Sequence, residues 1–180
     1  MRNRLSSINR IDRVIYISTS ILVTVLILNK KSIDTNLLVP ILKPVSLIIS
    51  TFLGISFDYL SDIGFYNETL SIVITRKCAG INFFITFFGM LTFSFISKFE
   101  GVIEKVIAML AFFVCGYLVT ILANASRIIG IVYMGKIDIF LDPRYKDLMH
   151  QSIGVVSYFT YFIMGYLFFD KSMKLDKTCK

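Results

Sequence analysis

The sequence predicts an all-α polytopic membrane protein with four transmembrane helices, an outer interfacial amphipathic helix and a short β-hairpin. Three observations lead there. Only 17% of the 180 residues are charged and 56% are apolar, against about 25% and 45–50% in soluble domains. The apolar residues gather in uncharged runs at Val14–Asn29, Cys78–Ser97, Val106–Ser126 and Gln151–Phe169, close to the ~17–25 residues that a spanning helix needs. The net charge of +7 falls mostly at the two ends of the chain. Basic flanks orient membrane helices, so this charge calls for a lipid bilayer and for no nucleic acid.

The first span is expected at roughly 12–29, with Arg13 and Lys30 snorkelling to the headgroups. Arg2, Arg4, Arg10 and Arg13 precede it as in a signal peptide. Asn29-Lys30-Lys31-Ser32 follows in place of a small-x-small cleavage pattern, so the segment reads as an uncleaved anchor. Residues 38–57 come next, interrupted by Lys43 and Pro44. Leu38, Ile41, Leu42, Val45, Ile48, Ile49, Phe52 and Leu53 share one face at 3–4 spacing, which fits an interfacial helix better than a short fifth span. Phe65-Tyr66-Asn67-Glu68-Thr69 reads as a turn and Leu70–Thr75 as a β-branched strand. This hairpin would deliver Arg76-Lys77-Cys78 to the mouth of the next span.

Three further spans are expected at 79–97, 103–124 and 151–169. Segments 1–13, 98–105 and 170–180 then share one side, with ten Lys and Arg in 32 residues. The other side, 29–77 and 125–149, has nine in 74 residues. The denser side should be cytoplasmic, which puts the N-terminal 1–13 and the tail 170–180 inside and residues 38–77 outside. The whole of 1–180 reads as one domain, with 79–169 as the helix bundle that carries the site.

Three polar residues stand where an apolar protein needs a reason to keep them. Cys78 opens a span directly after two cations, where positive charge and a helix N-terminus favour the nucleophilic thiolate. Arg127 lies between apolar stretches at the end of the third span, and an ionisable residue at membrane depth is a functional candidate. Asn124, three residues earlier on the same face, is placed to orient it. His150, the only histidine, begins the last span, and an imidazole suits general-base work near neutral pH. Each has a bland counterpart: a small residue at a helix start, a snorkelling Arg, a polar helix-start marker. The topology brings all three to one membrane face, and a nucleophile, a cation and a base together make the constellation of thiol acyl transfer.

Other positions read as structural. Cys115 is a buried thiol in mid-span and Cys179 is incidental in the tail, although palmitoylation is an option there. The Phe-rich second span is lipid-facing and packing surface, and Tyr158, Tyr161 and Tyr166 are packing or interface anchors. Asn67-Glu68-Thr69 and Asn124-Ala125-Ser126 are weak matches to a glycosylation sequon. Neither the cysteines nor the single His offers a metal-ligand pattern, so no metal or cofactor is expected.

Cys78-Ala79-Gly80-Ile81-Asn82, Asn124-Ala125-Ser126-Arg127-Ile128 and His150-Gln151-Ser152-Ile153-Gly154 resemble, in order and spacing, the exosortase/archaeosortase family of membrane cysteine proteases and transpeptidases. The resemblance covers about residues 38 to 169 and is greatest to the compact exosortase K branch. It implies Cys78 as nucleophile, Arg127 as catalytic cation and His150 as base and acid, with Asn124, Asn82 and Gly80 around them. It also implies a plasma-membrane enzyme that cleaves the C-terminal sorting signal of exported proteins, a short motif followed by a transmembrane helix and a basic tail. A lipid or cell-envelope amine is the implied acceptor. Two other classes stay open: a non-catalytic scaffold holding a partner helix, and a transporter subunit. The latter is disfavoured because Arg127 is the one ionisable residue that the sequence embeds near a span.

Overall fold

A computed structural model of the chain describes residues 10–29, 34–61, 63–68, 72–135 and 143–178. Among them are the helices α1 (Arg10–Asn29), α2 (Val39–Leu53), α3 (Ile81–Phe95), α4 (Val102–Met134) and α5 (Pro143–Thr178). The mostly helical architecture is as expected. All five helices lie in stretches long and apolar enough to cross a membrane, including Asn36–Leu53, which joins a short 3-10 turn to α2. Length and composition therefore do not set α2 apart from the other four.

Two helix limits differ from expectation. α4 runs ten residues beyond the expected end at 124, so Arg127 sits in its interior. Nothing in Ala125–Met134 stops it: the stretch has no Pro, and the lone Gly130 costs only about 1 kcal/mol. The end comes at Gly135, whose N–H bonds the Ile131 carbonyl at 2.9 Å. α5 begins at Pro143, eight residues before the expected 151, and continues past 169. Proline is well suited to a first helical position. Lys171 and Lys174 do not break a helix either; Lys174 pairs with Asp170 one turn back at 2.6 Å. Charge pattern marks depth in a bilayer, and backbone chemistry marks where a helix stops.

The expected hairpin is a three-stranded antiparallel sheet in the order β1 (Asp58–Leu60), β2 (Gly64–Asn67), β3 (Ile72–Ile74). Tyr59 pairs with Phe65, and Tyr66 pairs with Val73. Phe65-Tyr66-Asn67, expected in a turn, thus forms the central strand. Asn favours turns because its side chain bonds nearby backbone, but Asn67 is buried and its amide nitrogen donates to the Ser56 carbonyl at 2.6 Å. The same bond takes Asn67 out of consideration as an exposed sequon; Thr69 lies outside the described residues.

Contacts group the chain into two compact units, 1–32 with 81–118 and 33–80 with 119–180, so α4 contributes its first half to one and its second half to the other. In the first, Phe83, Phe87, Phe88 and Phe95 are buried, Phe84 is half-buried, and Phe93 alone of the α3 phenylalanines is exposed. The Phe-rich stretch is therefore mainly core. Phe84 meets Phe113 edge to face at 5.2 Å, and Gly116 lets α4 close on the Phe84 ring. The same unit holds a buried ion pair, Asp12 to Lys105, which joins the first turns of α1 and α4. Arg127 is thus not the only embedded ionisable residue. Asp12 and Lys105 satisfy each other, as a buried charge must.

In the second unit, α2 buries Leu42, Val45 and Ile49 and packs on β2. Gly54 caps α2 in the left-handed conformation. Gly130 of α4 closes on the Ile153 side chain of α5, the close helix approach that small residues permit.

Removing one member of the buried pair leaves the other charge without a partner. Asp12→Ala and Lys105→Ala are each expected to destabilise the protein by about 3–5 kcal/mol, while replacing both with Leu or Met recovers most of the loss. Unfolding in detergent followed by circular dichroism checks this; equal losses in the single and double variants would contradict it.

Candidate functional site

Cys78 ends a single 3-10 turn, Arg76–Cys78, with its N–H on the Thr75 carbonyl at 2.8 Å and the Ala79 N–H on the Arg76 carbonyl at 3.1 Å. Gly80 follows at φ +65°, and α3 begins only at Ile81. The sequence expectation that Cys78 opens the helix is corrected: it lies three residues before it. The left-handed Gly80 reverses the chain between turn and helix, a conformation that only Gly adopts at little cost. Cys78 is half-buried and Arg76 is exposed, whereas the Lys77 side chain lies outside the described set.

The bare Cα of Gly80 rests on the side chain of Asn124. A Cβ at this position would overlap the Asn124 carboxamide. Asn124 is 1% exposed, in the second half of α4. Its Oδ1 accepts from the Tyr158 hydroxyl at 2.6 Å, and that hydroxyl oxygen accepts from Arg127 Nη1 at 3.3 Å. The Arg127 guanidinium also stands 5.7 Å from the Tyr158 ring, within the range of a cation–π contact. Asn124 therefore holds Arg127 through Tyr158, one step less directly than the sequence suggests.

Gly154 completes the wall. A Cβ there would come within 3.0 Å of Arg127 Nε, so glycine is what allows α5 to close over the guanidinium. His150, Gly154 and Tyr158 are spaced four apart on α5 and lie on one face. His150 is half-buried, one turn or about 6 Å from Gly154. It is not at the start of its helix, which begins seven residues earlier.

Of the expected site residues, Cys78 with Gly80, Asn124, Arg127 and His150 all belong to the second compact unit. Asn82 belongs to the first, exposed on the opening turn of α3, where its carbonyl accepts from Thr86 at 2.8 Å. Tyr158 is the residue that sequence reasoning missed. Regular tyrosine spacing suggests anchoring, but the telling signal is its place two turns after His150 with Gly154 between. Asn124, buried in mid-helix, is not an exposed sequon. Cys115 lies half-buried in α4, and Cys179 is outside the described residues.

Two donors at this site have no partner. Asn124 Nδ2 and Arg127 Nε are both buried and make no hydrogen bond, and each faces the bare Cα of a glycine. Among the described residues no group of three or more His, Cys, Asp or Glu is gathered for a metal ion. No protein-family model, curated protein or solved structure matches the chain.

Gly80→Ala is expected to cost at least ~1–2 kcal/mol from the left-handed backbone alone, and more from displacing the Asn124 carboxamide. Thermal unfolding in detergent checks this; a midpoint equal to the parent's would contradict the close approach.

Proposed function

We propose that this chain is a membrane-embedded cysteine protease or transpeptidase that cleaves the C-terminal sorting signal of exported proteins at the outer face of the plasma membrane. The observation that carries this reading is one chain of contacts. Gly80, two residues after Cys78, rests on Asn124; Asn124 reaches Arg127 through Tyr158; and Arg127 lies over Gly154, one turn from His150. A thiol, a cation and an imidazole separated by 49 and 23 residues in sequence are tied into one unit.

Helix lengths support the placement at a membrane boundary. His150 and Lys171 are separated on α5 by 21 residues, about 32 Å at 1.5 Å per residue, against a hydrocarbon core of ~30 Å. His150 then marks the outer boundary and Lys171 the inner one. The termini are cytoplasmic, α2 lies in the outer interface, and four helices span.

In the mechanism, a substrate's short recognition motif reaches the outer interface on its own transmembrane helix. The Cys78 thiolate, its proton taken by His150, adds to the scissile carbonyl carbon, and the carbonyl π pair moves to oxygen. Arg127 stabilises that oxyanion. As the intermediate collapses, the C–N bond breaks and His150 returns the proton to the leaving amine. The thioester passes to water or to an amine of the cell envelope, releasing the thiol. No metal or cofactor is required by these steps.

Cys78→Ala and Cys78→Ser are expected to abolish processing of a tagged substrate in the host, read by gel mobility. Arg127→Lys should fall by about 10²-fold, since a point charge does not reproduce the planar fork at an oxyanion. Full processing in the Cys78 variants would favour a scaffold that holds a partner helix, and full activity in Arg127→Lys would reduce Arg127 to a boundary anchor.

A further inference from the structure

We propose that Asn124 is a second oxyanion donor, presented beside Cys78 by the hydroxyl of Tyr158, which acts as a positioning residue. This rests on the proposed thiol acyl-transfer function and deepens it. The ligand is the oxygen of an acyl carbonyl under attack by Cys78.

Two hydrogen bonds of the Tyr158 hydroxyl hold the carboxamide in one orientation. Arginine has only donors, so at 3.3 Å from Nη1 the Tyr158 oxygen must accept. Its proton is donated to the amide oxygen of Asn124, 2.6 Å away. The amide nitrogen is thereby turned away from Tyr158. It is buried and makes no hydrogen bond, although a buried unmatched donor costs about 1–3 kcal/mol. It faces the bare Cα of Gly80. Two peptide links separate Gly80 from Cys78, so their Cα atoms lie within about 7.6 Å of each other. A fixed, unmatched donor beside the nucleophile is the arrangement that stabilises negative charge developing on a substrate oxygen.

Arg127 Nε is the second unmatched donor of the same network. Tyr158 therefore holds two groups with one hydroxyl, the Asn124 amide and the Arg127 guanidinium that lies against Gly154. It touches no reacting atom itself. In water such donors would reorient toward solvent; in this buried network their direction is set before the acyl group arrives.

Two reactions of the same thiol separate this role from a structural one. Acylation of Cys78 by p-nitrophenyl acetate passes through a tetrahedral oxyanion: the C–S bond forms, the carbonyl π pair moves to oxygen, and collapse expels p-nitrophenolate with the C–O bonding pair. Alkylation by iodoacetamide displaces iodide at carbon and forms no oxyanion. Both are measured in full-length protein in detergent carrying Cys115→Ser and Cys179→Ser, so that Cys78 is the only thiol. Asn124→Asp keeps the acceptor for Tyr158 and removes the donor. It is expected to slow acylation by about 10²-fold and to leave the alkylation rate within about twofold. Asn124→Ala should behave likewise, and Tyr158→Phe should slow acylation by about tenfold. Acylation and alkylation falling together, or acylation unchanged in Asn124→Asp, would overturn the donor role and leave Cys78 as nucleophile. A Cys78 inert to both reagents in the parent would overturn the catalytic reading as well.

Discussion

A guanidinium inside an apolar helix is the constraint that organises the second half of this chain. Arg127 lies within α4, between Ala123, Ala125 and Ile128 on buried faces. Its charge cannot be neutralised by losing a proton, as a Lys or His charge can. It must be supplied with acceptors, or with a ring face, by whatever packs beside it. α5 supplies both in one residue, Tyr158, and leaves room with a second, Gly154. The consequence reaches the chain before α3, because the tyrosine proton left over from this bond turns the Asn124 carboxamide onto Gly80.

The apolar character, the helical class and the position of the polar outliers are legible in the sequence because each depends on composition or on short-range periodicity. Asn124 and Arg127 at i and i+3 read correctly as one helix face. What is not legible is whatever a partner element decides. Asn67 reads as a turn residue until its carbonyl partner, eleven residues earlier, is known. Cys78 reads as a helix start because nothing local announces that Gly80 takes φ +65° against a side chain 44 residues further on. Tyr158 looks like one of three evenly spaced anchors until Arg127 and Asn124 are placed opposite it. Asp12 and Lys105 read as flanking charges rather than as each other's counter-ion, for they are separated by 93 residues.

Two embedded cations, Lys105 and Arg127, meet the same problem differently. Lys105 is matched by a full opposite charge, the Asp12 carboxylate. Arg127 is matched by a neutral hydroxyl and a ring, with no carboxylate paired to it among the described residues. An uncompensated cation draws negative charge to itself, including charge that exists only during a reaction. In the proposed function, that matching separates the structural role of Lys105 from the chemical role of Arg127. Burial alone does not decide it.

The proposed thiol acyl transfer requires Cys78 and His150 to share one membrane boundary, and their separation can be measured. Spin labels on Cys78 and on the thiol introduced by His150→Cys, in protein otherwise free of cysteine, report that separation by electron–electron double resonance. A short distance, under about 20 Å including label arms, is expected for groups one turn and two residues from a common contact network. A distance at or above the ~30 Å of the hydrocarbon core would put the two on opposite faces and contradict it.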